Sequence, residues 1–159
     1  MKAKLLLLIV LALGSIASAQ TVDKQKVSEF ATAVARAEGF GVKHAIPTRN
    51  HNPGDIKQGC RYIHFRNDAE GWTALRVQIA KLAAGESKHY RLTMTINQVS
   101  KIYAGDYRWG KIVAKTLGVS PTTTLAEYFA DAPDVPEVPQ ASDDSIADIL
   151  NIGLPFDAN

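Results

Sequence analysis

Glu38 stands one residue before Gly39, at the end of a segment with helical spacing. A carboxylate there meets the negative end of the helix dipole, which disfavours its charge. Its neighbours Ala37, Gly39 and Phe40 supply no countercharge. Dipole and desolvation act in the same direction, and both raise the pKa. A Glu tuned to about 6 holds a proton near neutrality and can donate it to a leaving oxygen, the general-acid task in glycoside cleavage. The plainer alternative is a solvated helix-end Glu with no chemistry.

A second group of residues follows in the stretch Arg49-Asn50-His51-Asn52-Pro53-Gly54-Asp55. Amides and a carboxylate gather here around a Pro-Gly turn. Amide groups donate to and accept from sugar hydroxyls and N-acetyl groups. The alternative is an ordinary turn rich in Asn and Asp. Other constellations are weaker. His44, His51, His64, His89 and Cys60 show no zinc-ligand spacing and no His-Glu-x-x-His, so neither a metal nor a cofactor is expected. Cys60 is the sole cysteine and shares a strand face with His64; a buried thiol is the expectation. The basic residues are scattered rather than interleaved with aromatics, which argues against nucleic acid as a partner.

The elements that must position these residues are mostly helical. Val27, Phe30, Ala31 and Val34 fall at i, i+3, i+4, i+7 within 22–38, with Thr21 or Asp23 as cap and Gly39 and Gly41 as stop. Residues 41–59 read as irregular. Residues 55–57 and 60–65 suit two short strands around Gln58-Gly59. Gly71-Trp72 opens a second helix with Trp72, Leu75, Ile79 and Leu82 on one face and Gly85 at its end. Thr95-x-x-Gln98 is a capping box for a third. A fourth runs from Arg108 to Leu117, with Trp109, Ile112 and Val113 inward and Gly118 just past it. Thr124-x-x-Glu127 opens a short fifth through Phe129. The fold class expected is mainly α (α+β), with a small β-hairpin region.

Charge divides the 159-residue chain. Residues 1–19 carry Lys2 and Lys4 and no acid; residues 20–120 carry 16 basic and 8 acidic residues; residues 121–159 carry 8 acidic residues and no Lys or Arg. The net charge of +2 is therefore a basic leader and a +8 body offset by a −8 end. The leader, with its apolar run Leu5–Leu13 and Ala17-Ser18-Ala19, reads as a secretory signal peptide too short to span a bilayer. The expected organisation is a signal peptide at 1–19, a folded domain at 20–130, a Pro-rich linker at 131–140 and an acidic tail at 141–159. Pro133, Pro136 and Pro139 mark the linker, and Ile146, Ile149 and Leu150 make the tail apolar enough to dock or to address a protein partner. The expected product is exported, periplasmic or secreted, with no membrane span.

Three groups of residues together resemble a branch of the lysozyme-like superfamily, the peptidoglycan lytic transglycosylases and their bacterial and phage relatives. The first is Ala33 to Phe40, with Glu38-Gly39-Phe40 closing the helix. The second is Asn50-His51-Asn52-Pro53-Gly54-Asp55-Ile56. The third is Tyr62–Phe65 with Gly71-Trp72, Tyr103-Ala104-Gly105-Asp106 and Leu117-Gly118-Val119-Ser120-Pro121. The resemblance covers roughly residues 25–129. It implies a lysozyme-like fold and a cleft for the glycan strands of peptidoglycan. It implies that Glu38 is the catalytic acid and base at the bond between the N-acetylmuramyl and N-acetylglucosaminyl sugars. In such transglycosylases one Glu protonates the glycosidic oxygen and then takes the proton of the sugar 6-hydroxyl, leaving a 1,6-anhydro sugar. Asp55 is the candidate second carboxylate of a hydrolytic lysozyme; the family often has Asn there, which favours the transglycosylase. Asn50, His51, Asn52, Tyr103 and Asp106 are the implied substrate contacts. Two departures from the pattern are His51, where the family has Asn, and Gly105-Asp106-Tyr107-Arg108 after the Tyr-Ala motif. A non-catalytic peptidoglycan-binding or cell-envelope assembly module on the same scaffold is the alternative.

Overall fold

The apolar stripe of the first helix dictates the architecture. In the computed structural model, which describes residues 22–130, α1 spans Lys24–Glu38 and buries Val27, Phe30, Ala31, Ala33, Val34 and Ala35. Asp23 caps its start by accepting from the Gln25 N–H at 2.7 Å. Gly39 ends it in the left-handed conformation (φ 79°), which only Gly adopts without cost. Two further helices pack on α1: α3 (Asp68–Ala83) and α5 (Tyr107–Leu117). α4 (Ile96–Tyr103) packs on α5, and α6 (Leu125–Ala130) closes the core beside α3. Phe30 of α1 meets both Tyr128 and Phe129 of α6 at 5.5 Å between ring centres. The described residues are thus mainly helical with one hairpin, β1 (Lys57–Gln58) and β2 (Arg61–Tyr62), paired antiparallel.

Both expected capping boxes form. Thr95 and Gln98 bond reciprocally at the start of α4, and the Thr124 and Glu127 side chains do so at the start of α6. Several expectations need correction. Residues 41–59 are not wholly irregular: Pro47, in the first turn where its missing N–H costs nothing, supports α2 (Ile46–Arg49). α3 begins three residues before Gly71, because the Asn67 side chain accepts from the Glu70 N–H and caps it. The hairpin turns at Gly59-Cys60, with Lys57 opposite Tyr62. Cys60 is consequently exposed at the turn, not buried. Ile112 is exposed; the inward face of α5 is Trp109, Gly110, Val113 and Ala114. Gly110 is required there, since a Cβ would come within 2.8 Å of the Ser100 side chain on α4. No helix among the described residues is long and apolar enough to cross a membrane. The expected signal peptide, linker and acidic tail lie outside the described residues.

Candidate active site

Glu38 sits on the last turn of α1, where the burial of the whole helix fixes it. Its Oε1 accepts a hydrogen bond from the indole N–H of Trp109 on α5, at 2.7 Å. No Lys or Arg among the described residues ion-pairs with it. Burial pushes its pKa up to about 7; the Trp109 hydrogen bond opposes that rise, the Asp55 charge adds to it and the Lys57 charge opposes it. The carboxyl therefore keeps its proton to a higher pH than an ordinary Glu does.

Asp55 faces it from the loop after α2. Its backbone is left-handed (φ 48°), a conformation Asp tolerates better than most residues. Burial raises the Asp55 pKa, and Lys57 and a hydrogen bond with Tyr62 restrain it. One carboxylate oxygen, Oδ1, is buried and takes no hydrogen bond among the described residues. The turn that presents Asp55 is closed by its own N–H donating to the Asn52 carbonyl at 3.0 Å.

Asn52 has a different place from the one expected. It is fully buried, and its side chain knits the loop to the hairpin. Its amide donates to the carbonyls of Ile56 (2.8 Å) and Ile63 (2.9 Å), and its oxygen accepts from the Ile56 N–H at 2.8 Å. No polar atom of that side chain is left to meet a sugar. Asn52→Ala strands two backbone groups, the Ile56 N–H and the Ile63 carbonyl, each worth about 1–3 kcal/mol when left unpaired, while the Ile56 carbonyl keeps the bond from the Ile63 N–H at 2.9 Å. The expected result is a loss of stability on the order of 2 kcal/mol or more in denaturant unfolding; an unchanged midpoint contradicts this role.

The other expected contacts divide. Asn50 caps the end of α2 and its carbonyl accepts from the Phe65 N–H at 2.9 Å; its side chain is half-buried. His51, also left-handed (φ 51°), points its Nδ1 at the Asp68 carboxylate, 2.6 Å away, with the His64 ring edge-on at 5.9 Å. Asp106 is turned to its own helix: it caps α5 by accepting from the N–H groups of Arg108 (2.7 Å) and Trp109 (3.4 Å), which hold its pKa below the ordinary range. That carboxylate holds the helix start rather than standing free for substrate. Tyr103 does join the site. Its hydroxyl donates to the Gly54 carbonyl, next to Asp55, and its ring lies 4.7 Å from that of Trp109. Burial and the nearby Glu38 push its pKa well above the ordinary tyrosine value, so it remains a donor.

Glu38, Asp55 and Tyr103 are therefore brought together, and Trp109, Lys57 and Tyr62 join them unforeseen. For Trp109 a signal existed: a buried indole almost always finds an acceptor for its N–H. A separate cavity of about 590 Å³, lined by Lys26, Glu29, Val119, Thr123, Glu127 and Tyr128, opens at the other end of α1. Nine to twelve residues of helix place its α1 lining, Glu29 and Lys26, roughly 14–18 Å from Glu38, so it is no part of this site. A comparison of the chain with protein-family models, with curated proteins and with solved structures found no match to any of them.

Proposed function

We propose that this chain is an exported enzyme of lysozyme-like fold that cleaves the glycan strands of peptidoglycan as a lytic transglycosylase, with Glu38 as general acid and then general base. The observation that carries the reading is the state of Glu38: a carboxyl at a helix terminus, paired with an indole N–H instead of a cation, with its pKa pushed up to about 7. In the first step the Glu38 proton passes to the glycosidic oxygen as the bond to the muramyl C1 breaks. In the second the Glu38 carboxylate takes the proton of the same sugar's 6-hydroxyl as that oxygen bonds to C1. Water is not consumed, and the Glu returns to its starting form. The +8 charge of residues 20–120 favours approach to an anionic polymer.

The test is digestion of murein sacculi with the purified chain, the products read by mass spectrometry. Anhydro-muropeptides support the reading. Hydrolysed reducing ends instead point to a lysozyme-type reaction, a reading favoured by the nearness of Asp55, whose charge Glu38 feels. Sacculi that retain the protein while releasing nothing point to a binding module and overturn both.

Asp55 also sets a pH prediction. Its negative charge raises the Glu38 pKa. Asp55→Asn removes that charge, so the pH above which kcat/KM falls moves to lower values. A transglycosylase keeps its anhydro product through this change, whereas an enzyme needing a second carboxylate loses turnover by about a hundredfold or more. A pH profile that does not move contradicts the electrostatic coupling.

A further inference from the structure

Three side chains from three elements meet in series at this site. Trp109 of α5 donates to Glu38 at the end of α1. The Trp109 ring stacks on Tyr103 of α4, 4.7 Å between centres and 33° between planes. Tyr103 in turn donates to the carbonyl of Gly54, the residue before Asp55. The two carboxylates are thus tied to each other through a pair of stacked aromatics, and not only through the backbone.

The direction of the first bond has a chemical consequence. A protonated carboxyl has one hydroxyl oxygen and one carbonyl-type oxygen, and an N–H donor pairs best with the latter. With Oε1 accepting from Trp109, the proton belongs on Oε2. The same N–H stabilises the carboxylate after the proton leaves, because a hydrogen bond to a charged acceptor is stronger than one to a neutral acceptor. Trp109 itself is almost wholly buried, 5% exposed, so water does not replace it.

We propose that Trp109 is a positioning residue for Glu38: its indole N–H holds Oε1, assigns the acid proton to Oε2, and through the Tyr103 stack sets where Glu38 stands relative to the loop of Asp55. The inference rests on the reading of Glu38 as acid and base. The charged and titratable groups that also act on Glu38 are Asp55 and Lys57, with Tyr103 alongside. None of them donates the bond that Trp109 makes.

The experiment removes the N–H, first together with the indole and then with the bicyclic ring kept. Trp109→Phe is the simple variant. Incorporation of 3-benzothienylalanine at 109, with sulfur in place of the N–H, preserves the shape if the Phe variant does not fold. The first readout needs no activity: the Glu38 carboxyl carbon is titrated by NMR in the full chain. Its midpoint is expected to rise above 7 by about one pH unit, equivalent to the tenfold worth of a hydrogen bond to a charged group. The second readout is turnover on soluble glycan strands: kcat falls about tenfold or more with KM unchanged, and the descending limb of the pH profile follows the new midpoint. A titration midpoint in the isosteric variant equal to that of the unsubstituted chain overturns the proposal. Turnover that survives Glu38→Gln overturns the function proposed above, while the NMR titration still decides whether Trp109 holds the carboxyl.

Discussion

Glu38→Gln is expected to stop the release of muropeptides and, above neutral pH, to make the folded chain more stable. The two effects have one origin. The amide oxygen of Gln can still accept from the Trp109 N–H, so the hydrogen bond that Oε1 makes at 2.7 Å survives. What disappears is the proton that moves. A general acid and base contributes about a hundredfold to ten-thousandfold, and turnover should fall at least by the lower figure. Stability goes the other way. Burial lifts the Glu38 pKa to about 7, from an ordinary value of 4.5. Below 4.5 the group is protonated in both folded and unfolded chains and exacts no penalty. Between the two values the unfolded chain releases its proton while the folded chain keeps it, so the stability contributed by this group falls as pH rises. Above about 7 the penalty is constant. The gap corresponds to up to roughly 3 kcal/mol. Thermal unfolding of the two proteins at pH 4.5, 6 and 8 should therefore diverge progressively, with the Gln variant more stable at pH 8. Parallel curves would show that Glu38 is not desolvated in solution.

Gly71→Ala is expected to damage both the fold and the site, although Ala is the better helix former by about 1 kcal/mol. Gly71 lies within α3 and has ordinary helical backbone, so the damage is a matter of space. A Cβ there would stand 1.9 Å from the His51 carbonyl oxygen and 2.7 Å from the Pro53 ring. These are not flexible side-chain ends. The first is backbone, and the second is a buried ring in the turn that carries Asp55. Either α3 retreats, loosening Leu75 and Ile79 in the core, or the 51–55 loop is lifted and the carboxylates separate. Overpacking of this kind costs about 3 kcal/mol or more. For a domain of this size that corresponds to a fall in Tm of roughly 10–15 °C, with turnover lost in parallel. Gly41→Ala is the contrast. Nothing lies within 4 Å of its Cβ position, and its left-handed φ of 88° leaves only a backbone strain of about 1–2 kcal/mol. Equal Tm values for the two variants would show that the loop does not rest on α3.

The parts of this molecule that periodicity controls were legible in the chain. The stripe Val27, Phe30, Ala31, Val34 and the stop at Gly39 located α1 and therefore Glu38, because burial of a helix face is a one-dimensional pattern. The two capping boxes were legible for the same reason, being contacts within one turn. Periodicity also placed Trp109 on an inward face. It did not say that the indole N–H would reach a carboxylate 71 residues away, since a face pattern states which side is buried and not which polar atoms meet across it. Asn52 was misplaced on similar grounds. Its amide is a good sugar ligand in type, but its partners, Ile56 and Ile63, are chosen by how the hairpin folds back. Cys60 was expected inside because a thiol is apolar; the one-residue shift of the turn put it at the tip.

The turn at Asn52–Asp55 is held chiefly by groups other than the side chain it presents, which adds a hydrogen bond with Tyr62. The Asn52 amide, the Tyr103 hydroxyl and the packing on Gly71 all act on backbone or on neighbours of residue 55. Asn tolerates the same left-handed conformation as Asp. Position 55 can therefore exchange carboxylate for amide by a single-base change without dismantling its support. One carboxylate is thus anchored by a helix packed in the core, while the other rides on a turn whose backbone bonds do not depend on its charge.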